Sequence, residues 1–143
     1  MMKILFVCTG NTCRSPMAEA IVTTKNLKEV EARSAGIFAG EAPLSENAQL
    51  VLSQQQISFS HTSKPLDKED LDWAELVLTM TNSHKMAILQ AYPETATKLF
   101  TLKEFAADST EDVRDPYGGP ITLYEKTFHE LKLLIDKLIM KIT

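Results

Sequence analysis

The chain contains little of what marks several common classes of protein. Among its 143 residues there are only two cysteines, Cys8 and Cys13, too few for the disulfide framework of a small secreted domain. Its apolar runs fall well short of the roughly 20 residues that a membrane-spanning helix needs. The first apolar run meets polar residues at Cys8, so we expect a strand there and not a signal peptide. These absences favour a cytoplasmic protein with no membrane partner.

Concentrated charge and metal-ligand spacing are also missing. The net charge is −4 and the lysines and arginines are scattered, which argues against a nucleic-acid partner. The histidines His61, His84 and His129 are dispersed, and neither they nor the cysteines show the spacing of a zinc site. The first predicted strand is followed by a loop with one glycine, not by the G-x-G-x-x-G of a dinucleotide site. We therefore predict neither a metal nor another cofactor.

Strand and helix signals alternate along the chain, with no linker, repeat or low-complexity block. This pattern predicts one domain over residues 1–143. Its class is α/β, with three layers in which helices cover both faces of a parallel sheet. Strands of a four-stranded sheet are predicted at Lys3–Val7, Val30–Ile37, Leu76–Met80 and Lys98–Leu102. Helices are predicted at Pro16–Leu27, Ser45–Gln56, Asp67–Trp73, Asn82–Tyr92 and Ile121–Ile142.

The segment from Val7 to Pro16, VCTGNTCRSP, is the most informative part of the chain. A loop that passes from a buried strand to a helix turns successive backbone N–H groups inward, and the helix adds its positive N-terminal end, so tetrahedral anions bind there. Gly10 is expected to supply backbone freedom, and Asn11 is the non-glycine type that best tolerates a left-handed conformation. The predicted phosphate-binding residues are Thr9, Gly10, Asn11, Thr12, Cys13 and Arg14.

Cys8 and Arg14 would supply the chemistry of this loop. Cys8 lies in the positive field of the loop, so its thiol is expected to ionise readily and to attack phosphorus. Arg14 presents a planar fork of donors that can grip two phosphate oxygens together. Ser15 is predicted to cap the following helix, with Pro16 in its first turn. Strand, turn, arginine and helix start all agree, which favours a catalytic loop over a buried core cysteine beside a surface arginine.

A second motif lies in the longest stretch without clear periodicity, from Lys103 to Pro120. Here Asp115 precedes Pro116, which biases the aspartate backbone toward an extended conformation. A carboxylic acid near the leaving atom can protonate it as its bond to phosphorus breaks, an effect worth roughly 3 to 5 kcal/mol. Rival carboxylates in the same stretch are Asp108, Glu111 and Asp112. Combined with the cysteine loop, the motif favours Asp115 as the general acid.

Through VCTGNTCRS and Asp115-Pro116-Tyr117, the chain resembles the low-molecular-weight protein tyrosine phosphatase family over its whole length. The resemblance implies a single phosphatase domain in which Cys8 is the nucleophile, Arg14 the transition-state clamp and Asp115 the general acid. It also implies that the loop is held in place through hydrogen bonds by Asn11, Ser15, Ser34 and His61. We expect a monomer that acts on phosphorylated proteins through a phosphocysteine intermediate.

The residues predicted to select the substrate are Thr12, Phe38 and Tyr117. Tyrosine-directed members of the family usually have an aliphatic residue where this chain has Thr12. Threonine there, together with Gly118-Gly119 after the second motif, resembles the bacterial protein arginine phosphatase branch. A phosphorylated guanidinium carries several donors and needs acceptors at the pocket, whereas a phenyl ring needs the apolar walls that aromatic side chains offer. Phosphoarginine in proteins is therefore the predicted substrate, and phosphotyrosine is the alternative.

Other functions compatible with such a loop are arsenate reduction and non-catalytic phosphate binding. Thiol-dependent arsenate reductases pass electrons along further cysteines, and this chain has none after Cys13. A non-catalytic module would be expected to have lost Cys8 or Asp115, and both are present. Cys13 itself allows two interpretations: it traps an oxidised Cys8 as a reversible disulfide, or it is a buried filler.

Overall fold

The structure, a computed structural model, describes residues 2–143. Strands β1 (Met2–Cys8), β2 (Val30–Gly36), β3 (Leu76–Thr79) and β4 (Leu99–Thr101) form a four-stranded sheet in the order β2-β1-β3-β4. All of the pairings are parallel. The chain leaves β1 in one direction to reach β2 and then crosses back to β3 and β4 on the other side. Strand order therefore reverses between β1 and β3, the place where ligands of open α/β sheets bind.

Helices cover both faces of this sheet. They are α1 (Arg14–Thr24), α2 (Glu46–Gln54), α3 (Lys68–Trp73), α4 (Asn82–Ala91), α5 (Leu102–Ala107) and α6 (Ile121–Ile142), with a 3₁₀ turn at Pro93–Lys98. Buried residues of α1, α2, α5 and α6 share one core cluster with one face of the sheet. Buried residues of α3 and α4 form a second cluster with the other face. This architecture confirms the predicted α/β fold with three layers.

β1 lies in the middle of the core and carries apolar side chains toward both helical layers. Ile4 and Phe6 belong to the larger cluster, whereas Leu5 and Val7 belong to the smaller one. Successive side chains of a strand point to opposite faces, so a strand covered on both sides is apolar at every position. Cys8 is the last residue of this strand, opposite Gly36 of β2. The buried strand thus delivers Cys8 rigidly to the carboxyl edge of the sheet.

The predicted elements are found, with small differences at their ends; besides the 3₁₀ turn at Pro93–Lys98, one helix was omitted. The last helix has the predicted bounds, Ile121–Ile142, whereas α1 begins at Arg14 and not at Pro16. The omission is α5, which occupies the start of the stretch predicted to be irregular. Its six residues are too few to show a helical period, and a capping box between Thr101 and Glu104 starts it. Within residues 2–143, none of the helices combines the length and apolarity needed to cross a membrane.

Candidate active site

The loop between β1 and α1 forms the floor of a pocket of about 340 Å³. Both sequence motifs contribute to it, although they lie at opposite ends of the chain. The pocket is lined by Cys8, Thr9, Gly10, Thr12, Cys13 and Arg14 from the loop, by Asp115 and Tyr117 from the second motif, and by Gly40, Ala42 and Ser63. The structure therefore brings the predicted nucleophile, clamp and general acid around one cavity.

Ser15 places its hydroxyl group against the Cys8 sulfur. The Cys8 Sγ atom is 2.9 Å from Ser15 Oγ, and the whole cysteine is only 3 % exposed. Asn11 Nδ2, which can only donate, lies 2.8 Å from the same Ser15 Oγ. Because the serine oxygen accepts from Asn11, its own hydrogen is free to point at the sulfur. The arrangement suits an anionic sulfur, since a donated hydrogen bond stabilises the charged form.

Asn11 connects the loop to its surroundings on several sides. It has a left-handed backbone with φ of 56° and is fully buried. Its side-chain oxygen accepts a hydrogen bond from the Lys64 backbone N–H at 3.0 Å. Its carbonyl oxygen lies 2.7 Å from His61 Nε2, and burial lowers the pKa of that imidazole. These contacts hold the strained turn in a single conformation.

The hydrogen bonds continue beyond the loop to a carboxyl group. Asn11 Nδ2 also donates to Ser34 Oγ at 3.0 Å, and Ser34 Oγ donates to Glu19 Oε1 at 2.6 Å. Burial raises the pKa of Glu19, although its bond to Ser34 opposes that change. The sequence analysis identified Asn11 and Ser34 but missed Glu19, because a glutamate in a helix is usually a solvent-exposed residue.

Arg14 is fixed at both ends of its guanidinium group. The residue is 4 % exposed, and its Nη1 donates to the Val113 carbonyl oxygen at 3.0 Å. Its Nη2 lies 3.6 Å from Asp115 Oδ2. Val113 is itself anchored, since its N–H donates to the Met80 carbonyl just after β3, at 2.8 Å. The second motif is thus tied to the sheet through the same residue that orients the arginine.

Asp115 lies at the open side of the pocket. Its side chain is 51 % exposed, and its Oδ1 accepts a hydrogen bond from the Tyr117 N–H at 3.0 Å. Tyr117 stands at the rim with 73 % exposure. The rival carboxylates Asp108, Glu111 and Asp112 are not among the residues that line the pocket. Asp112 instead accepts a hydrogen bond from the Asn82 N–H at the start of α4, at 2.8 Å.

Some details of the predicted site are wrong. Ser15 does not cap α1, because Cys13 precedes the helix and Ser15 lies within its first turn, bonded to Cys8 and Asn11. Gly10 has no positive φ, so the left-handed turn falls on Asn11 alone. Phe38 is 83 % exposed and is not part of the pocket wall. It contributes instead a backbone N–H that donates to the Thr9 carbonyl at 2.9 Å.

Gly36 is a residue of the site that the sequence analysis missed. A Cβ atom at this position would lie 2.6 Å from the Thr9 carbonyl oxygen and 3.0 Å from the Asn11 Cβ. The end of β2 therefore approaches the loop more closely than any side chain permits. The Cys8 loop keeps its shape because this glycine lets it lie against the neighbouring strand.

Cys13 lies in the same pocket as Cys8, and both thiols are free and buried. The Cys13 Sγ atom is 3.3 Å from Ser45 Oγ and 3.5 Å from the Tyr124 hydroxyl oxygen. Burial raises the pKa of Tyr124 to about 12, so this phenol stays protonated at neutral pH. Within the part of the chain that the structure describes, no group of three His, Cys, Asp or Glu side chains is placed to hold a metal ion.

Comparisons with known proteins match nearly the whole chain. The sequence model of the family described as low molecular weight phosphotyrosine protein phosphatase matches residues 3–143. A protein-arginine-phosphatase from Geobacillus stearothermophilus is 49 % identical over 98 % of this chain and 95 % of its own length.

Solved structures show the same similarity. A low molecular weight protein tyrosine phosphatase from T. tengcongensis has a TM-score of 0.93 at 53 % identity, covering 99 % of both chains. The YwlE arginine phosphatase, solved as a Cys-to-Ser mutant with a phosphorylated active-site serine, has a TM-score of 0.91 at 42 % identity, over 99 % of this chain and 95 % of that one.

Proposed function

The chain belongs to the low molecular weight phosphotyrosine protein phosphatase family, and from this premise we propose that it removes phosphate from phosphoarginine in proteins. As a member of this family it is a cysteine-dependent phosphatase. The observation that carries the choice of substrate is the position of Thr12, whose side chain lines the pocket together with Cys8 and Asp115. The 49 % identity to a protein-arginine-phosphatase supports the same choice.

In the first step, the Cys8 sulfur attacks phosphorus and the bond from phosphorus to the leaving nitrogen breaks. The Arg14 guanidinium, already oriented by Val113, has N–H groups left to bind two phosphoryl oxygens as negative charge shifts among them. Asp115, at the open side of the pocket, gives its proton to the departing guanidine nitrogen. The products of this step are a free arginine side chain and a phosphocysteine.

In the second step, water attacks the phosphocysteine and the sulfur leaves as a thiolate. Asp115 is now a carboxylate and takes a proton from that water, which restores the acid for the next cycle. The Ser15 hydroxyl, 2.9 Å from the Cys8 sulfur, stabilises the departing thiolate. Inorganic phosphate then leaves the pocket.

Two residues that line the pocket, Thr12 and Asp115, can accept hydrogen bonds from a guanidinium, whereas a phenyl ring has none to offer them. A phosphorylated guanidinium presents N–H donors that need acceptors, which the Thr12 hydroxyl and the carbonyl oxygen of the Asp115 carboxyl group can supply, and both residues line the pocket. The Thr12 hydroxyl lies 3.7 Å from Cys13 Sγ, a weak hydrogen-bonding group, and a guanidinium can offer it a further hydrogen bond that a phenyl ring cannot. The aromatic ring of Tyr117 at the rim can pack against the planar face of either group.

Phosphotyrosine is the second candidate substrate. It is favoured by the 53 % identity to the tyrosine phosphatase from T. tengcongensis. Steady-state kinetics on matched phosphoarginine and phosphotyrosine peptides test the choice, and we expect the larger kcat/KM for phosphoarginine. A larger value for phosphotyrosine would reverse the assignment. In Cys8→Ser, both activities and the turnover of para-nitrophenyl phosphate are expected to disappear, which separates a hydrolase from a phosphate-binding module.

Thr12→Ile tests the residue that carries the proposal. We expect a loss of about tenfold or more in kcat/KM for the phosphoarginine peptide, with phosphotyrosine hydrolysis kept or raised, because one polar contact is exchanged for an apolar wall. Thr12→Ser, which keeps the hydroxyl group, is the matched control. Equal losses on both peptides would remove Thr12 as the selecting residue.

We further propose that the domain comprises residues 1–143 and acts as a monomer. We also propose that it acts in the cytoplasm, since a reactive thiol suits a reducing compartment.

We also propose that Cys13 protects Cys8 from overoxidation, because both cysteines line one pocket. Peroxide would convert Cys8 to a sulfenic acid, which condenses with the Cys13 thiol to a disulfide and releases water. Dithiothreitol is expected to restore activity after peroxide in the wild type but not in Cys13→Ser; equal recovery would refute this role.

A further inference from the structure

His84 connects the N-terminus of α4 to the Cys8 loop, although neither sequence motif includes it. Its backbone N–H donates to Thr81 Oγ1, and its Nδ1 accepts a hydrogen bond from the Thr81 N–H, both at 3.2 Å. Its Nε2 lies 2.8 Å from Thr9 Oγ1. The ring is buried, with 7 % of the residue exposed. One imidazole thus bonds a helix cap on one side and the residue after the nucleophile on the other.

The first of these contacts fixes which nitrogen of His84 carries the hydrogen. A backbone N–H can only donate, so Nδ1 must offer a lone pair to Thr81. A neutral ring then has its single hydrogen on Nε2. Burial, together with the nearby Arg14, lowers the pKa of His84 to about 4, against the opposing effects of Asp112 and Asp115. The ring is therefore neutral near pH 6 to 7 and donates through Nε2 to Thr9.

The hydrogen bond donated by His84 also restricts where the Thr9 hydroxyl hydrogen can point. Because the Thr9 oxygen accepts from His84, its own hydrogen must point elsewhere. Thr9 is exposed and lines the pocket between Cys8 and Gly10. Among residues 2–143, the contact with His84 is the one hydrogen bond found for this hydroxyl group. Its hydrogen is thus available to another acceptor at the wall of this pocket.

We propose that His84 is a positioning residue of the phosphate site, which orients the Thr9 hydroxyl group so that it donates to an oxygen of the bound phosphoryl group. The Thr9 hydroxyl then adds one side-chain donor to those of the backbone and Arg14. The inference concerns the phosphate subsite alone and holds for either leaving group. It rests on the cysteine-dependent phosphatase activity and not on the choice of phosphoarginine.

Two substitutions of His84 separate this role from that of a helix cap. In His84→Asn, the side-chain oxygen can replace Nδ1 as the acceptor from Thr81, while nothing reaches Thr9. In His84→Gln, the terminal amide nitrogen can replace Nε2 as the donor to Thr9, while the acceptor next to Thr81 is lost. Structural damage and functional damage are therefore expected in different variants.

The experiment measures turnover of para-nitrophenyl phosphate, competitive inhibition by inorganic phosphate, and melting temperature. We expect His84→Asn to lose about fivefold in kcat/KM and to bind inorganic phosphate about fivefold more weakly, the effect of one hydrogen bond. Its melting temperature is expected to stay close to that of the wild type. His84→Gln is expected to bind phosphate within about twofold of the wild type and to melt at a lower temperature.

Thr9 provides the second, independent arm. Thr9→Val is expected to show the same loss of phosphate affinity as His84→Asn, and combining the two is expected to add nothing further. Thr9→Ser keeps the hydroxyl group and is expected to bind phosphate more tightly than Thr9→Val. The proposal is overturned if His84→Asn binds phosphate normally, if His84→Asn and His84→Gln lose affinity equally, or if the losses in the double variant add. Para-nitrophenyl phosphate carries no guanidinium, so a failure here is distinct from a failure of the phosphoarginine assignment.

Discussion

The direction of a few hydrogen bonds decides the chemistry around Cys8. Asn11 can only donate through its side-chain nitrogen, so Ser15 accepts from it and has its own hydrogen left for the sulfur. The same reasoning makes Thr9 a free donor, because His84 donates to it. In a buried site, each fixed donor therefore determines what the next hydroxyl group can do.

The buried imidazole of His84 predicts how stability depends on pH. Its pKa is about 4 in the folded protein, below its ordinary value of 6.5. The unfolded chain thus binds a proton more readily than the folded one, and stability falls as the pH falls from 6.5 toward 4. The full effect is about 3 kcal/mol.

Urea unfolding of the wild type and His84→Asn at pH 7 and pH 4.5 isolates this contribution, because asparagine does not titrate. We expect acidification to cost the wild type about 2 kcal/mol more than the variant. An equal loss of stability in the two proteins would contradict this, because it would show that the folded protein also protonates the His84 imidazole by pH 4.5.

Several helices end on a left-handed residue that is not glycine. In α2, Gln56 has φ of 60°, its N–H donates to the Ser53 carbonyl at 3.0 Å, and the Ile57 N–H donates to the Leu52 carbonyl at 2.9 Å. These two bonds form a Schellman motif, which usually has glycine at the left-handed position. Asn26 after α1 and Asp108 after α5 have φ of 52° and 51°. The chain has only five glycines, and none of them stands at these three positions. These helix ends therefore carry some backbone strain.

Gln56→Gly is therefore expected to stabilise the protein. Glycine adopts the left-handed conformation without the steric cost, roughly 1 kcal/mol, that a side chain pays there. Thermal unfolding is expected to shift upward by about 3 to 5 °C. Gln55→Gly is the matched control, because Gln55 has φ of −89° and gains no relief. The idea fails if both variants are destabilised.

The prediction of elements from the sequence succeeded where a periodic pattern was long enough. The apolar stripe of α6 predicted its bounds, and the apolar run of β1 predicted a buried central strand. α3, also of six residues, was predicted, but α5 was missed because its first residue, Leu102, was assigned to the preceding strand and its six residues form fewer than two turns. Its one readable signal was the spacing of Thr101 and Glu104, which forms a capping box.

The long helix α6 joins the larger core cluster through a single face. Buried residues on that face are Tyr124, Thr127, Phe128, Leu131, Leu134, Ile135 and Leu138. They pack with α1, α2 and α5 against the same side of the sheet. Because the helix that holds the loop, α1, packs against α6, the position of the phosphate site depends on this core.

Two leucines of α6 test which face of the helix packs in the core. Leu131 is fully buried, whereas Leu133 is 66 % exposed. Leu131→Ala is expected to lower the free energy of unfolding by about 2 to 5 kcal/mol, because it removes core contacts and leaves a cavity. Leu133→Ala is expected to change it by less than about 0.5 kcal/mol. Urea denaturation measures both free energies of unfolding. Similar losses in the two variants would show that α6 does not bury the face that carries Leu131 in preference to the one that carries Leu133.

The residue types of the two motifs were enough to predict that Cys8, Arg14 and Asp115 share one site, and the structure places them around one pocket. Their roles as nucleophile, clamp and acid stay predictions, made because thiolate attack on phosphorus needs a cysteine, an arginine and a carboxyl group. Periodicity was likewise enough for the layered fold.

Three residues of the site could be found only in the folded chain. They are Glu19 behind Ser34, Gly36 against the loop, and His84, which lies next to Thr9 although 75 positions of sequence separate the two. Their roles depend on which strands are neighbours and on the angles at which donors meet acceptors, and neither leaves a pattern in the order of residues.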